Sequence, residues 1–244
     1  MSAQPVVVIT HRVHPEAMEL LGTKCAVIAN DSLHSWPREK LNTLAAQADA
    51  LMVFMSDSVD DGFLERCPRL KIIAAALKGH DNFDVAACTR RGVWFTVVPD
   101  LLSLPTAELA LGLMLGITRN IAAGDRLVRS GSFQGWRPVL YGSGLHVRMI
   151  GIVGMGKLGR ALASVLAGFD TEVLYSDPAP LTSEEESQLR VRRVEMNALL
   201  ARSDIVVTLL PLTESTFHLI DGGRNRARET RQLRGQCWTR LRRR

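Results

Sequence analysis

One run constrains this chain more than any other: Gly154-Met155-Gly156-Lys157-Leu158-Gly159. An apolar strand-like segment, Met149–Val153, leads into it, and a helix-like apolar pattern follows as far as Gly168. A second apolar segment, Thr171–Tyr175, then ends at Asp177, 18 positions after Gly159. A glycine triad between a strand and a helix, with an acid closing the next strand, is the pattern that holds a dinucleotide. Gly154 permits a tight turn, Gly156 lets a pyrophosphate approach the backbone, and Gly159 lets the helix pack closely on the strand. The start of the helix supplies unpaired N–H groups and a positive dipole end to the phosphates. A carboxylate at Asp177 accepts hydrogen bonds from ribose hydroxyls and repels a 2′-phosphate, so NAD is the expected cofactor rather than NADP.

The rest of the chain reads as α/β. Strands are expected at Val6–Thr10, Ala26–Ala29, Ala50–Phe54, Lys71–Ala75 and Trp94–Val97. Helices are expected between them at Pro15–Leu21, Arg38–Ala48, Asp60–Arg66 and Asp84–Arg90. Short, apolar strands alternating with helices point to a parallel sheet covered on both faces. A long helix is expected from Pro105-Thr106-Ala107-Glu108 through Val128, with Gly131 as its stop. A loop rich in Gly, Trp, Tyr and Pro runs from Ser130 to Arg148. The second α/β unit continues with a helix near Met196–Arg202 and a strand at Asp204–Leu209. The expected division is 1–101, 102–222 and a tail at 223–244.

Charge must be divided before it is interpreted. The net charge is +5, yet residues 223–244 alone carry nine arginines and one glutamate, leaving the remainder at −3. The folded part therefore gives no support for a nucleic-acid partner. No apolar run is long enough for a membrane span, and Met1 to Thr10 lacks the features of a secretion signal, so a cytoplasmic location is expected. Cys25, Cys67, Cys88 and Cys237 have no CxxC spacing, which argues against a disulfide scaffold and a zinc site. The histidines His11, His14, His34, His80, His146 and His218 share no ligand spacing and read as surface or structural groups, so no metal is expected.

A glycine-rich dinucleotide unit placed second, after a flavodoxin-like unit and a long helix, resembles the D-2-hydroxyacid dehydrogenase family. The run Lys78-Gly79-His80-Asp81-Asn82-Phe83-Asp84 resembles its substrate loop, and Val98-Pro99-Asp100 with Pro105-Thr106-Ala107-Glu108-Leu109-Ala110 resembles its interdomain helix start. Thr10-His11-Arg12-Val13-His14, Lys78, Phe133-Gln134-Gly135-Trp136 and Tyr141-Gly142-Ser143-Gly144-Leu145 resemble the phosphite-oxidising branch of that family, phosphonate dehydrogenase. The resemblance implies a flavodoxin-like substrate domain followed by an incomplete Rossmann domain, and a homodimer in the complete enzyme. It implies that Lys78 and Gly79 hold a small anionic substrate, phosphite or a 2-hydroxy acid, with Met55, Trp136 and Tyr141 walling the pocket. A lysine ammonium beside a glycine suits a compact anion, which needs charge and N–H donors to leave water. The resemblance also places Thr106, Leu210 and Pro211 against the cofactor, beside Gly154–Gly159 and Asp177.

The family's catalytic arginine, glutamate and histidine lie downstream of the point where this chain departs from the pattern, after Gly222. No catalytic residue is assigned on this basis, and a chain truncated in this way is expected not to turn over phosphite at the rate of a complete enzyme; the alternatives are a D-2-hydroxyacid dehydrogenase and an inactive fragment that at most binds nucleotide. Residues 223–244 show no apolar periodicity. They read as an Arg-rich, out-of-frame segment without core-forming elements, expected to be disordered.

Overall fold

The computed structural model describes residues 4–220 and the backbone of a short strand at Gln236–Cys237. The chain divides into two compact units, Met1–Leu102 and Ser103–Arg244.

The first unit alternates β1 (Val6–Ile9), α1 (Pro15–Gly22), β2 (Ala26–Ala29), α2 (Arg38–Ala45), β3 (Ala50–Val53), α3 (Asp61–Glu65), β4 (Ile72–Ala75), α4 (Val85–Arg90) and β5 (Trp94–Thr96). Its five strands are parallel in the order β2-β1-β3-β4-β5, the flavodoxin-like order. The core gathers Val8, Leu51, Val53 and Ile73 from the strands with Leu41, Phe63, Leu64 and Cys88 from the helices. Cys67 and Cys88 are buried thiols whose pKa burial pushes up, as expected of inert core cysteines.

One buried acid ties the sheet at its amino end. Asp49 accepts from the Val6 N–H at 2.9 Å and from Arg69 Nη2 at 3.1 Å, with Lys71 Nζ 3.4 Å away. These donors, the Val6 amide foremost, hold its carboxyl below the usual range. A depressed acid stabilises the fold above its unfolded pKa, and that contribution is lost as pH falls through the folded value. Asp49→Asn is therefore expected to lower thermal stability at neutral pH and to make it less sensitive to acid below about pH 4. Parallel thermal melts of the two proteins across that range check this; parallel pH curves would refute it.

The second unit opens with α5 (Ser103–Thr118) and α6 (Ile121–Arg129). The single long helix expected from the sequence is broken. Asn120 takes a left-handed conformation (φ 55°), and its amide donates to the carbonyls of Leu140 and Tyr141. An asparagine tolerates this conformation, so the break needed no Gly or Pro to mark it. The sheet is built from β6 (Met149–Val153), α7 (Lys157–Leu166), β7 (Glu172–Ser176), α8 (Ser183–Leu189), β8 (Val191–Arg193), α9 (Met196–Arg202), β9 (Ile205–Thr208) and β10 (Gln236–Cys237). All its pairings are parallel, in the order β10-β9-β6-β7-β8. The chain thus reverses direction across the sheet between β6 and β9, the arrangement of a doubly wound dinucleotide fold.

On one face α5 packs against α7. Ala107, Ala110 and Met114 bury themselves with Leu162, Ala163 and Leu166. The alanines permit the close approach, and each buried leucine contributes about 1.5–3 kcal/mol. The sequence reading passed over α8 and β8. The helix was signalled by a capping box, in which Thr182 and Glu185 each accept from the other's backbone N–H. The strand is a Val-Arg-Arg edge strand with only Val191 buried, so it carries no apolar run to notice.

The expected disorder of 223–244 lies outside the described residues, with one correction. Gln236–Cys237 pairs in parallel with β9, so that stretch is not devoid of sheet-forming residues. Among the described residues no helix is long and apolar enough to cross a membrane.

Candidate dinucleotide and anion sites

The glycine run sits where the second sheet changes direction. The end of β6 meets the end of β9, whose Leu209 N–H donates to the Val153 carbonyl at 2.8 Å. Gly154 has φ +99°, and a Cβ there would lie 2.7 Å from the Leu209 carbonyl oxygen and 2.9 Å from Leu210 Cδ2. Gly159 is buried in the first turn of α7, where a Cβ would collide with the Gly154 carbonyl oxygen. Gly156 differs from both. Its φ is −70° and a Cβ would meet nothing within 4 Å. It stands at the start of α7 with no side-chain cap, and the amino end of a helix is where backbone amides and the helix dipole favour an anion. Two glycines are thus required by the protein's own packing, and the third borders open space. This arrangement fits a pyrophosphate.

Asp177 closes the loop from the neighbouring strand. Its Oδ2 accepts from the Met155 N–H at 2.7 Å and its Oδ1 from the Ala179 N–H at 2.8 Å. Each carboxylate oxygen has acceptor capacity left for a ribose hydroxyl. The carboxylate therefore fixes the glycine turn while remaining half-exposed. Behind it, the Tyr175 hydroxyl donates to Glu186 at 2.7 Å and accepts from the Leu181 N–H at 2.9 Å. These bonds set the course of the chain after β7. Arg160, on the first turn of α7, pairs with Glu185. The Thr182 amide, and after it the Arg160 guanidinium, hold the Glu185 carboxyl below its usual range.

Leu210 follows β9 and lies against Gly154, and the Pro211 carbonyl accepts from the Thr216 hydroxyl at 2.6 Å. Both are among the residues that the sequence resemblance implied to lie against the cofactor. Thr106 is half-buried in the first turn of α5, next to Ala107, which is sealed in the core. Lys157 and Leu158 occupy the first turn of α7. Trp136 and Tyr141 lie on the loop before β6, 84% and 78% exposed. That loop is anchored where the Ser143 N–H donates to the Thr118 carbonyl at 2.7 Å, at the end of α5.

The first unit gathers its own polar groups at the carboxyl ends of β1, β3 and β4. Met55 follows β3, and Lys78 and Gly79 follow β4; all three are exposed. The structure brings their two loops together through Asn82, whose amide donates to the carbonyls of Met55 at 3.0 Å and Asp57 at 2.7 Å. Sequence reasoning missed a second feature of this edge. The Thr10 hydroxyl donates to buried Asp57 at 2.5 Å, and His11 Nδ1 lies 3.0 Å from the same hydroxyl. His11 Nε2 is 2.8 Å from Ser56 Oγ and 3.0 Å from Ser35 Oγ. Nothing in metal-type histidine spacing could reveal this, because its partners come from three different loops.

Comparison with known proteins places both units in one context. Residues 111–227 match the family model for the D-isomer specific 2-hydroxyacid dehydrogenase NAD binding domain, which carries the likeness past Gly222, where the sequence reading ended it. The glyoxylate reductase of Thermofilum pendens is 34% identical over 228 residues, covering 92% of this chain and 67% of the relative. That of Pyrococcus horikoshii is 34% identical over 223 residues, covering 89% of this chain and 66% of the relative. The chain thus spans about two thirds of the length of such relatives. Among solved structures, the TT0316 protein of Thermus thermophilus is similar with a TM-score of 0.84 and 29% identity, over 91% of this chain and 70% of that one. The apo D-lactate dehydrogenase of Escherichia coli is similar with a TM-score of 0.73 and 25% identity, over 90% and 69%.

Proposed function

The chain belongs to the D-isomer specific 2-hydroxyacid dehydrogenase family, and from that premise we propose that it is an NAD-dependent oxidoreductase of a small oxyanion. The observation that carries this reading is the glycine turn at the β6–β9 switch point, open at Gly156 and held by the Asp177 carboxylate. NAD bound there supplies a hydride acceptor, or as NADH a hydride donor. The residues of this chain do the rest of what is assigned here. The first amides of α7 bind the pyrophosphate, Asp177 accepts from the adenosine ribose, and Leu210, Pro211 and Thr106 line the cofactor. We assign 1–101 to substrate binding and 102–222 to cofactor binding. Lys78 and the amide of Gly79 hold the substrate anion, with Met55 of the same unit beside them.

The substrate class that best fits the relatives is a 2-hydroxy acid and its 2-oxo partner, since the similar proteins are named glyoxylate reductases and a D-lactate dehydrogenase. In balanced form, 2-hydroxy acid and NAD give 2-oxo acid, NADH and a proton. Phosphite is the second reading, and Lys78 favours it: a compact, doubly charged oxyanion gains more from an ammonium than a carboxylate does. A homodimer and a cytoplasmic location belong to the same proposal.

The test follows the reduced nicotinamide by absorbance, with glyoxylate plus NADH in one arm and phosphite plus NAD in the other. Turnover of glyoxylate alone retires the phosphite reading, and turnover of phosphite alone retires the 2-hydroxy acid. Loss of a charge-assisted hydrogen bond is worth about 1.5–3 kcal/mol. Lys78→Ala is therefore expected to raise KM for the oxyanion roughly ten- to a hundredfold, with a smaller change in KM for the nucleotide. An unchanged oxyanion KM would remove Lys78 from the site.

A further inference from the structure

Two guanidinium groups stand beside the loop that carries Asp177, and they differ in how their charge is used. Arg160 is paired with Glu185, and its Nε lies 3.4 Å from the Met155 carbonyl. Arg193, at the end of β8, is exposed and donates from Nε and Nη2 to the backbone carbonyl of Asp177 itself, at 3.4 and 3.1 Å. That acceptor is neutral. The nearby acids are engaged elsewhere: Glu185 by Arg160 and the Thr182 amide, and Glu186 by the Tyr175 hydroxyl. The other arginine of the strand, Arg192, pairs with Glu172. Among the described residues, then, Arg193 is a cation with no ion-pair partner, anchored on the residue whose side chain is read as the ribose acceptor.

We propose that Arg193 is a specificity-determining residue that gives this rim a latent site for a 2′-phosphate, masked by the Asp177 carboxylate. This rests on the dinucleotide reading above. A guanidinium is the side chain best matched to a phosphate, through paired N–H donors in a fixed plane. The backbone carbonyl orients it without neutralising it. The charge of the Asp177 carboxylate opposes a 2′-phosphate brought to the same place. Discrimination between NAD and NADP is accordingly set by two residues of opposite sign, and removal of the acid leaves a positive rim, not a neutral one. The edge-strand position of β8 keeps the arginine in solvent and costs the core nothing, since Val191 alone anchors the strand inward.

The experiment measures dissociation constants of NAD and NADP by isothermal titration of the full chain, and the readout is the ratio of the two. The wild-type protein should favour NAD. Asp177→Ser, which keeps an acceptor for the Met155 N–H, should shift the ratio toward NADP by about tenfold or more, the scale of a gained charge-assisted contact. Adding Arg193→Gln should reverse most of that shift, and Arg193→Lys should retain part of it. If the serine variant unfolds, Asp177→Asn makes the same comparison. A ratio that moves equally with and without Arg193, while the wild-type protein still binds NAD, overturns this proposal and leaves the dinucleotide reading standing. Failure of the wild-type protein to bind either nucleotide overturns both.

Discussion

Replacing Gly154 by alanine is expected to unfold the nucleotide loop and abolish NAD binding, whereas the same change two residues later should weaken binding alone. At Gly154 two costs combine. A side chain at φ +99° costs about 1–3 kcal/mol in backbone strain. The added Cβ also lies 2.7 Å from the Leu209 carbonyl oxygen, which is backbone at the end of a core strand and cannot swing aside. At Gly156, by contrast, φ is −70° and the space is open, so alanine folds without strain. There the Cβ occupies the approach assigned to the pyrophosphate, and the expected loss is about tenfold or more in NAD affinity. Thermal melts beside NAD titrations separate the two effects. A Gly154→Ala protein with unchanged melting and unchanged affinity would contradict the packing described here.

The second large effect is expected at Tyr175, whose side chain is fully buried in β7. Truncation to alanine removes a large aromatic group from the core and should cost about 3–5 kcal/mol. Phenylalanine tests the hydroxyl alone. It would leave the Leu181 amide and Glu186 without their partner, at a cost of about 1–3 kcal/mol. Because those bonds set the chain after Asp177, the phenylalanine variant should also weaken NAD binding, although Tyr175 is assigned no contact with the cofactor. Chemical denaturation with each variant measures the stability terms. Equal stability of Tyr175→Phe and the wild-type protein would mean that the hydroxyl network does not organise this segment.

The glycine turn was legible in the sequence because each of its constraints falls on a short, continuous stretch. The alternating strands of the first unit were legible because buried parallel strands are apolar throughout. What escaped notice has a common physical cause. The break at Asn120 depends on amide bonds to a loop twenty residues on. The edge strand β8 is polar because it has little to bury, and α8 announces itself only by its cap. The link between the Met55 and Lys78 loops runs through Asn82, and the His11 network draws on three separate loops. Neither leaves a spacing pattern along the chain. The finer likeness to a phosphite oxidase rested on loop motifs, whereas the relatives found by comparison are named for glyoxylate, and the substrate assays decide between the two.

The central claim is that this chain holds NAD at the Gly154–Gly159 turn. Isothermal titration of the purified full chain with NAD, run beside Gly156→Ala, tests it without requiring turnover. The account predicts one NAD bound per chain by the wild-type protein, and an affinity at least about tenfold weaker in a variant that melts at the same temperature. A wild-type protein that binds no NAD, or a Gly156→Ala protein that binds it equally well, would contradict it.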